Sequence, residues 1–249
     1  MTELFQLLQE VDVDNTGYTT LSRQTGLLRE MQVVANNIAN AATTGFRQEG
    51  VIFSEYVLSV EDGPSLSMGQ GNVRNTSYSQ GTLSQTGGTF DLAIEGDGFF
   101  LIETPQGQRL SRSGAFSPNG VGDLVTMNGY RVLDAGGAPV FVPADAGSIS
   151  ISGDGTISAG GNLVGQIGVV YPTDPSKLVR EDGVMFRADE GYGPAEKASL
   201  LQGFLENSNV EAITQLARMI EVQRAYEMGQ SFLESEDQRV RQAVESLTK

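Results

Sequence analysis

The chain has 249 residues, a formal net charge of -15, and no Cys, His or Trp. The length suffices for one large or two modest domains with a real core. The acidic balance argues against a nucleic-acid surface, which needs a basic stripe, and against docking on anionic membranes. Without Cys there are no disulfides or thiolate metal sites, and without His the commonest general base and zinc ligand are gone.

The opening MTELFQLLQEVDVDN has neither the basic start nor the apolar stretch of a Sec signal. No apolar run reaches the roughly 18 residues of a membrane span. Met1–Glu10 is amphipathic and short, a helical turn or two or a disordered lead. Asp12–Gly17, DVDNTG, looks like the start of a calcium loop, but Thr16 stands where Asp or Asn belongs, and Arg23 holds the twelfth position in place of Glu. An exposed turn is the better reading.

A second helix is expected from Leu21 to about Ala42, its stripe formed by Leu21, Leu28, Met31, Ala35, Ile38 and Ala42, with Leu27 and Val34 beside it. Thr43, Thr44 and Gly45 stop it. From Gly50 to Arg74 the pattern lacks periodicity and reads as an extended linker with some strand content. From about Asn75 to Gln202 it is β, consistent with 31 Gly against 8 Pro. Apolar or alternating runs at Phe90–Ile94, Phe99–Glu103, Leu124–Thr126, Arg131–Leu133, Ser148–Ser152, Thr156–Ser158 and Gln166–Tyr171 alternate with Gly-rich turns, suggesting an all-β sandwich or open barrel.

The last stretch, Val210–Lys249, contains no Pro and only Gly229, and predicts one helix of about 60 Å. Asn207, Ser208 and Asn209 are cap-type residues just ahead of it. A seam of mean spacing near 3.5 passes through Met219, Val222, Tyr226, Gly229, Leu233, Glu236, Val240, Ala243 and Leu247, with Gly229 and Glu236 as blemishes. A second apolar group, Ile213, Leu216, Ala217 and Ile220, lies partly off that seam. One seam does not offset the entropy of ordering so long a helix, so partners are required, from this chain or others.

The fold class read from these patterns is α+β: N- and C-terminal helices pairing as a coiled-coil-like domain, with a mainly antiparallel, all-β central domain. The expected division is 1–45 with 205–249 as the helical domain, 46–74 as linker, and 75–204 as the β domain.

Chemistry is sparse. The Gly-rich turns carry neither GxxxxGK[ST] nor GxGxxG between a strand and a helix, so hairpin turns explain them. Asp91, Glu95, Asp97 and Glu103 cluster near two strands and read as solvated faces and turns. No SxxK occurs, and Arg224 beside Tyr226 reads as a seam aromatic with its flanking charge. No catalytic, cofactor-binding or metal-binding residue is assigned, and no cofactor is expected.

Three segments together resemble the flagellar rod and hook protein family of bacteria: ANNIANAATTGFRQEG (Ala35–Gly50), DLAIEGDGFFLI (Asp91–Ile102) and QGFLENSNVEAITQLARMIEVQRAYEMGQSFL (Gln202–Leu233). The resemblance implies a non-catalytic subunit that polymerises helically into a hollow axial structure, with paired terminal helices inside and the β domain outside. It implies export by the flagellar type III apparatus without a cleavable signal, a place in the basal-body rod across the periplasm, torque transmission, and monomers whose termini order on assembly. Its implied partners are other rod proteins, further copies of the chain and the export apparatus, with no nucleic acid and no embedding in membrane. Length and the short linker are most like the proximal rod members; the distal rod and hook members are the near alternative. A secreted acidic β-domain enzyme with a coiled-coil tail, and a self-assembling surface fibre, are the competing classes.

The interface residues expected on this reading are Asn36, Asn37, Ile38, Asn40, Met219, Val222, Gln223, Arg224, Tyr226, Leu233, Val240 and Leu247, with Asn207, Ser208 and Asn209 capping the last helix. Asn36, Asn37 and Asn40 share a flank; they either fix register as buried amides or face solvent or a channel. Gln223, Arg224 and Tyr226 match the family's QRAYE motif and are expected to contact the first helix or a neighbour. Family members begin closer to the ANNIAN segment, so Met1–Asp12 reads as an extension with its own role or an upstream start, with Val13 as the true first residue if its codon is an alternative start.

Overall fold

The computed structural model describes residues 2–58, 66–143 and 147–247. The chain divides into two compact units: Met1–Ala39 with Gln48–Ser77 and Glu211–Lys249, and Asn40–Arg47 with Tyr78–Val210.

The described strands of the second unit all pair antiparallel, with one 3-10 turn at Pro175–Lys177. Its organising strand is Phe99–Thr104, whose apolar run FFLI is buried on both faces. Phe100 and Ile102 enter a core with Leu92, Ile94, Leu124 and Val132, while Phe99 and Leu101 enter a second core with Leu110, Leu133 and Phe186. The strand pairs with Gly107–Ser111 on one side and Arg131–Leu133 on the other, within a nine-stranded sheet. A three-stranded sheet, Ile149–Ile151, Thr156–Ala159 and Asn162–Gln166, carries Ile151 and Ile157 into the first core. Two short pairs complete the unit, Leu92–Glu95 with Ser199–Gln202 and Leu83–Gln85 with Phe204–Glu206.

Leu124–Thr126 and Arg131–Leu133 form as the alternation predicts. The single run expected at Gln166–Tyr171 is broken: one strand ends at Gln166 and the next begins at Val169. Between them a Cβ at Gly168 would lie 2.3 Å from the Asp134 carbonyl carbon, so a backbone approach interrupts the strand.

The other unit contains helix α1 (Thr2–Ala39), strands β1 (Glu49–Leu58) and β2 (Leu66–Thr76), and helix α2 (Ala212–Leu247). The turn expected at Asp12–Gly17 does not form; α1 runs through it. The segment has no Pro, its polar residues cost only tenths of a kcal/mol each in a helix, and Gly17 costs about 1. The short opening helix and the second helix are therefore one element, ending at Ala39 rather than Ala42. The side chains of Met1–Asp12 lie outside the described residues. The stretch 50–74 is largely β1 and β2, paired antiparallel from Glu49 opposite Thr76 to Leu58 opposite Leu66.

The face α1 turns inward differs from the apolar stripe. Gln24, Leu27, Glu30, Val33, Val34 and Asn37 are buried, whereas Leu21, Leu28 and Ala35 are exposed and Met31 and Ile38 half-buried. The reason lies on α2, which offers polar partners to the inward face.

Candidate functional site

Among the described residues no three metal-binding side chains lie together. What the structure builds instead are two buried polar nodes, one in each unit.

In the β unit the node is Glu206, 1% exposed, at the end of the strand Phe204–Glu206. Its Oε1 lies 2.8 Å from Arg47 Nη1 and accepts the Gly81 N–H at 2.9 Å. Its Oε2 accepts from Arg112 Nε at 2.8 Å and lies 2.7 Å from Nη2. The rest of the Arg112 fork reaches backbone: Nη1 donates to the carbonyls of Gly96 (2.9 Å) and Gly98 (2.7 Å), and Nη2 to that of Ile94 (3.1 Å). All five guanidinium donors are thereby placed. The GDG turn, a plain hairpin turn by sequence, is the cradle of a buried arginine; Gly96 has φ 92 and a Cβ at Gly98 would meet Val169 Cγ1 at 2.7 Å.

Arg47 also donates to the Ser79 carbonyl. Burial pushes its pKa down to about 10, partly offset by Glu206. Burial lowers Arg112 too, against the pull of Glu206. Two guanidinium groups share one carboxylate, so removing Glu206 leaves two uncompensated buried charges. The neighbouring backbone closes around the node: the Gly45 N–H donates to the Glu206 carbonyl (2.8 Å) and the Asn209 N–H to that of Phe46 (3.3 Å). Gly45 has φ 71, and a Cβ there would lie 2.3 Å from Ser113 N, so both conformation and space demand glycine. Fully buried Phe46 stacks under the Arg180 guanidinium, 4.7 Å from its ring centre.

In the helical unit the node is Asn37, 1% exposed. Its Oδ1 accepts the Glu49 N–H at 2.9 Å while its Nδ2 donates to the Glu49 carbonyl at 2.7 Å, pairing with the end of β1 as a strand would. Nδ2 also donates to Gln215 Oε1 at 3.1 Å, tying α2 to the same point. Further along, Arg218 donates through Nε to Glu30 Oε1 at 2.7 Å, and this bond is the main cause raising the Arg218 pKa. Gln24 Nε2 donates to the Tyr226 carbonyl at 3.2 Å. Residues 24, 30 and 37 thus meet 226, 218 and 215, so α1 and α2 run antiparallel. Gly229, a blemish by sequence, leaves room for that amide: a Cβ there would be 2.7 Å from Gln24 Nε2.

The expected interface residues separate accordingly. Asn37 and Val222 are taken up inside the chain. Asn36 is exposed, with Nδ2 3.4 Å from Glu49 Oε2. Asn40 lies in the β unit, where its Oδ1 accepts the Thr43 hydroxyl at 3.1 Å. Ile38, Met219, Tyr226 and Leu233 are half-buried, and Gln223, Arg224 and Val240 exposed. The backbone of Leu247 closes α2; its side chain lies outside the described residues.

Asn207, Ser208 and Asn209 do not sit at the cap of α2, which starts at Ala212. Asn207 Nδ2 donates to Ser84 Oγ (2.7 Å), Asn209 Nδ2 to the Ser79 carbonyl (2.8 Å), and Ser208 Oγ accepts the Val210 N–H (3.2 Å). Glu211 stands at the cap instead: its carbonyl accepts the Gln215 N–H (3.1 Å) and its carboxylate the Thr214 hydroxyl (3.0 Å).

Sequence reading missed Arg47, Arg112 and Glu206, and Gln24, Glu30, Glu49 and Gln215. Arg47 and Glu206 lie inside the quoted GFR and GFLEN segments, but Arg112 carries no local signal. Outside the nodes the helices leave apolar side chains uncovered: Leu21 and Leu28 on α1, and Ile213 (79% exposed), Leu216 and Ile220 on α2.

Comparison with known proteins bears on the same residues. Residues 18–47 match the family model for "Flagella basal body rod protein", 93–159 that for "Flagellar hook protein FlgE/F/G D1 domain", and 201–246 that for "Flagellar basal body rod FlgEFG protein C-terminal". The β-unit node draws Arg47 from the first stretch, Gly96, Gly98 and Arg112 from the second, and Glu206 from the third. The chain is 39% identical over 245 residues to flagellar basal-body rod protein FlgF of Caulobacter vibrioides, covering 95% of this chain and 99% of that protein. It is 39% identical over 214 residues to FlgF of Mesorhizobium japonicum, covering 84% and 88%. It is 32% identical over 256 residues to flagellar basal-body rod protein FlgG of Bacillus subtilis, covering 91% and 97%.

Proposed function

The chain belongs to the flagellar basal-body rod protein family, and from that premise we propose that it is a proximal rod subunit, assembling helically with other rod proteins to transmit torque across the periplasm. As a family member it is a structural subunit of the basal-body rod, not an enzyme, and its place is the basal body. Greater identity to the FlgF relatives (39%) than to FlgG of Bacillus subtilis (32%) supports the proximal place over the distal one.

One observation carries the assembly reading: α1 and α2 each present apolar side chains away from one another. Leu21 and Leu28 on one, and Ile213, Leu216 and Ile220 on the other, recur at helical spacing on exposed faces. A helix apolar on two sides suits the middle of a bundle. Neighbouring subunits, copies of this chain or other rod proteins, cover these faces, joined by Asn36, Ile38, Gln223, Arg224, Val240 and Leu247. A coiled-coil-like pairing of the two helices forms the rod core. Its support is the recurrence of less exposed positions on α2 at Gln215, Met219, Val222, Tyr226, Gly229, Leu233 and Glu236. Delivery is by the flagellar type III export apparatus, without a cleavable signal. Among the described residues no helix is long and apolar enough to cross a membrane.

The test is Leu216→Asp with Ile220→Asp in a strain lacking the native gene. Both side chains are about half exposed, so the free chain should fold as before. Motility and assembled rods should be lost while the urea transition of the β unit stays put. Normal motility with normal rods would contradict the assembly reading.

A further inference from the structure

We propose that the β unit carries a docking site for the chain's own segment Gly45-Phe46-Arg47, and that this site fills before the helices form, tying the end of α1 to the start of α2 of the same chain. The inference rests on the rod reading only in that assembly brings helices of other copies within reach.

The segment Asn40–Arg47 belongs to the β unit, yet α1 before it and β1 after it belong to the helical unit. Non-covalent contacts alone therefore hold it in the β unit, as they hold a bound peptide. A connection between a helix and a strand is ordinarily exposed and polar. Here Phe46 is fully buried and Arg47 nearly so.

Each of the three residues meets a built part of the site. The Gly45 N–H donates to the Glu206 carbonyl at 2.8 Å, and the close approach to Ser113 admits only glycine. The Phe46 ring lies 4.7 Å from the Arg180 guanidinium, which stacks at the same distance on Phe186 of the second core. One cation thus joins the ring of the segment to a ring of the β unit. Arg47 reaches Glu206 at 2.8 Å and donates to the Ser79 carbonyl, while its own carbonyl accepts from Arg180 Nη2. Ser79, Ser113, Arg180, Phe186 and Glu206 all lie within Tyr78–Val210. One stretch of the chain builds the site and another fills it.

A further bond gives the docking its consequence. The Asn209 N–H donates to the Phe46 carbonyl at 3.3 Å. The chain leaving α1 is thereby held against the chain entering α2, a few residues from Ala39 on one side and from Ala212 on the other. Each α1 then meets the α2 of its own chain at the high effective concentration of a short tether. Where many identical helices crowd together, that advantage decides between pairing within a chain and exchange between copies.

Amide exchange of the free full-length chain reads the order of events. The Gly45 and Asn209 N–H groups should exchange at least about tenfold more slowly than those of residues 24–39. Equal rates would overturn the proposal. Pairing is read in basal bodies. The chain has no Cys, and a Cβ at Gly229 would lie 3.4 Å from Gln24 Cγ. In cells making Gln24→Cys copies together with Gly229→Cys copies, a disulfide between positions 24 and 229 can only join two chains. Its yield should stay below about a tenth of that within chains carrying both substitutions, and a comparable yield would overturn the proposal. Adding Phe46→Ala to both copies should raise the yield between chains at least about tenfold. No rise in copies that remain folded by circular dichroism would also overturn it. Absence of the parent chain from basal bodies would instead defeat the rod reading, and the exchange rates of the free chain would still decide whether the site fills first.

Discussion

The two units of this molecule bury polar groups in opposite settings. In the β unit, Glu206, Arg47 and Arg112 lie among cores that the chain completes by itself, and the apolar strand Phe99–Thr104 is covered on both faces. In the helical unit, the inward face of α1 holds Gln24, Glu30 and Asn37, while Leu21 and Leu28 face out. The contrast separates a unit whose apolar strands are covered within one chain from a unit whose polar pairs set register while apolar side chains stay exposed. Polar pairs suit the first task because a misplaced amide or carboxylate is penalised by its lost partner.

The sharpest way to break the comparison is at Glu206. Glu206→Gln keeps the shape but leaves Arg47 and Arg112 without a counter-charge, and should destabilise the β unit by about 3–5 kcal/mol. Urea unfolding followed by near-ultraviolet signals of that unit would measure it; a loss below about 1 kcal/mol would mean the node is not a stabilising centre.

Next in size is Asn37→Ala. It strands the Glu49 N–H and carbonyl and releases Gln215, each unsatisfied buried group costing about 1–3 kcal/mol. In assembled rods the loss should fall on the amide protection of α1 and α2 and spare the β unit. Equal effects on both would erase the distinction drawn between them.

Gly229→Ala is smaller still. Helix propensity favours it by about 1 kcal/mol, and the displaced Gln24 amide costs a similar amount. The net change should be near zero, and the gain should reappear when Gln24→Ala is added, as a double-mutant cycle reports.

The slightest effect is expected at exposed Asp154. Bonds from the Thr156 N–H and hydroxyl hold its carboxyl below the usual carboxylate range. Its folded pKa lies below its unfolded one, so its contribution is present above the ordinary carboxylate range and fades as pH falls through the lowered value. Asp154→Asn should flatten the acid limb of the stability curve slightly, with its small loss of stability present at neutral pH and absent in acid.

Much of this was legible in the sequence. The run Phe99–Glu103 announced a strand, though not its burial on both faces, and the Pro-free tail announced α2. Periodicity also placed a helix from Leu21 to about Ala42, but the apolar stripe it marked is not the face that turns inward. That choice is made by Gln215, Arg218 and Tyr226, nearly two hundred residues away. Arg112 was invisible for the same reason: nothing local marks a buried arginine whose partners are carbonyls of a distant turn and a carboxylate from the end of the β unit. Asn207, Ser208 and Asn209 have the composition of a cap, yet Ser84, the Val210 N–H and the Ser79 carbonyl claim their side chains first.

Hydrogen exchange on the free chain and on isolated basal bodies tests the central claim most directly. Amides of the buried strands of the β unit, Phe99–Thr104 foremost, should be protected in both states. Those of α1 and α2 should exchange rapidly in the free chain and become protected only in the assembled rod. If the two helices are as protected in the free chain as in the rod, the helical unit is complete in one chain, and the account is wrong.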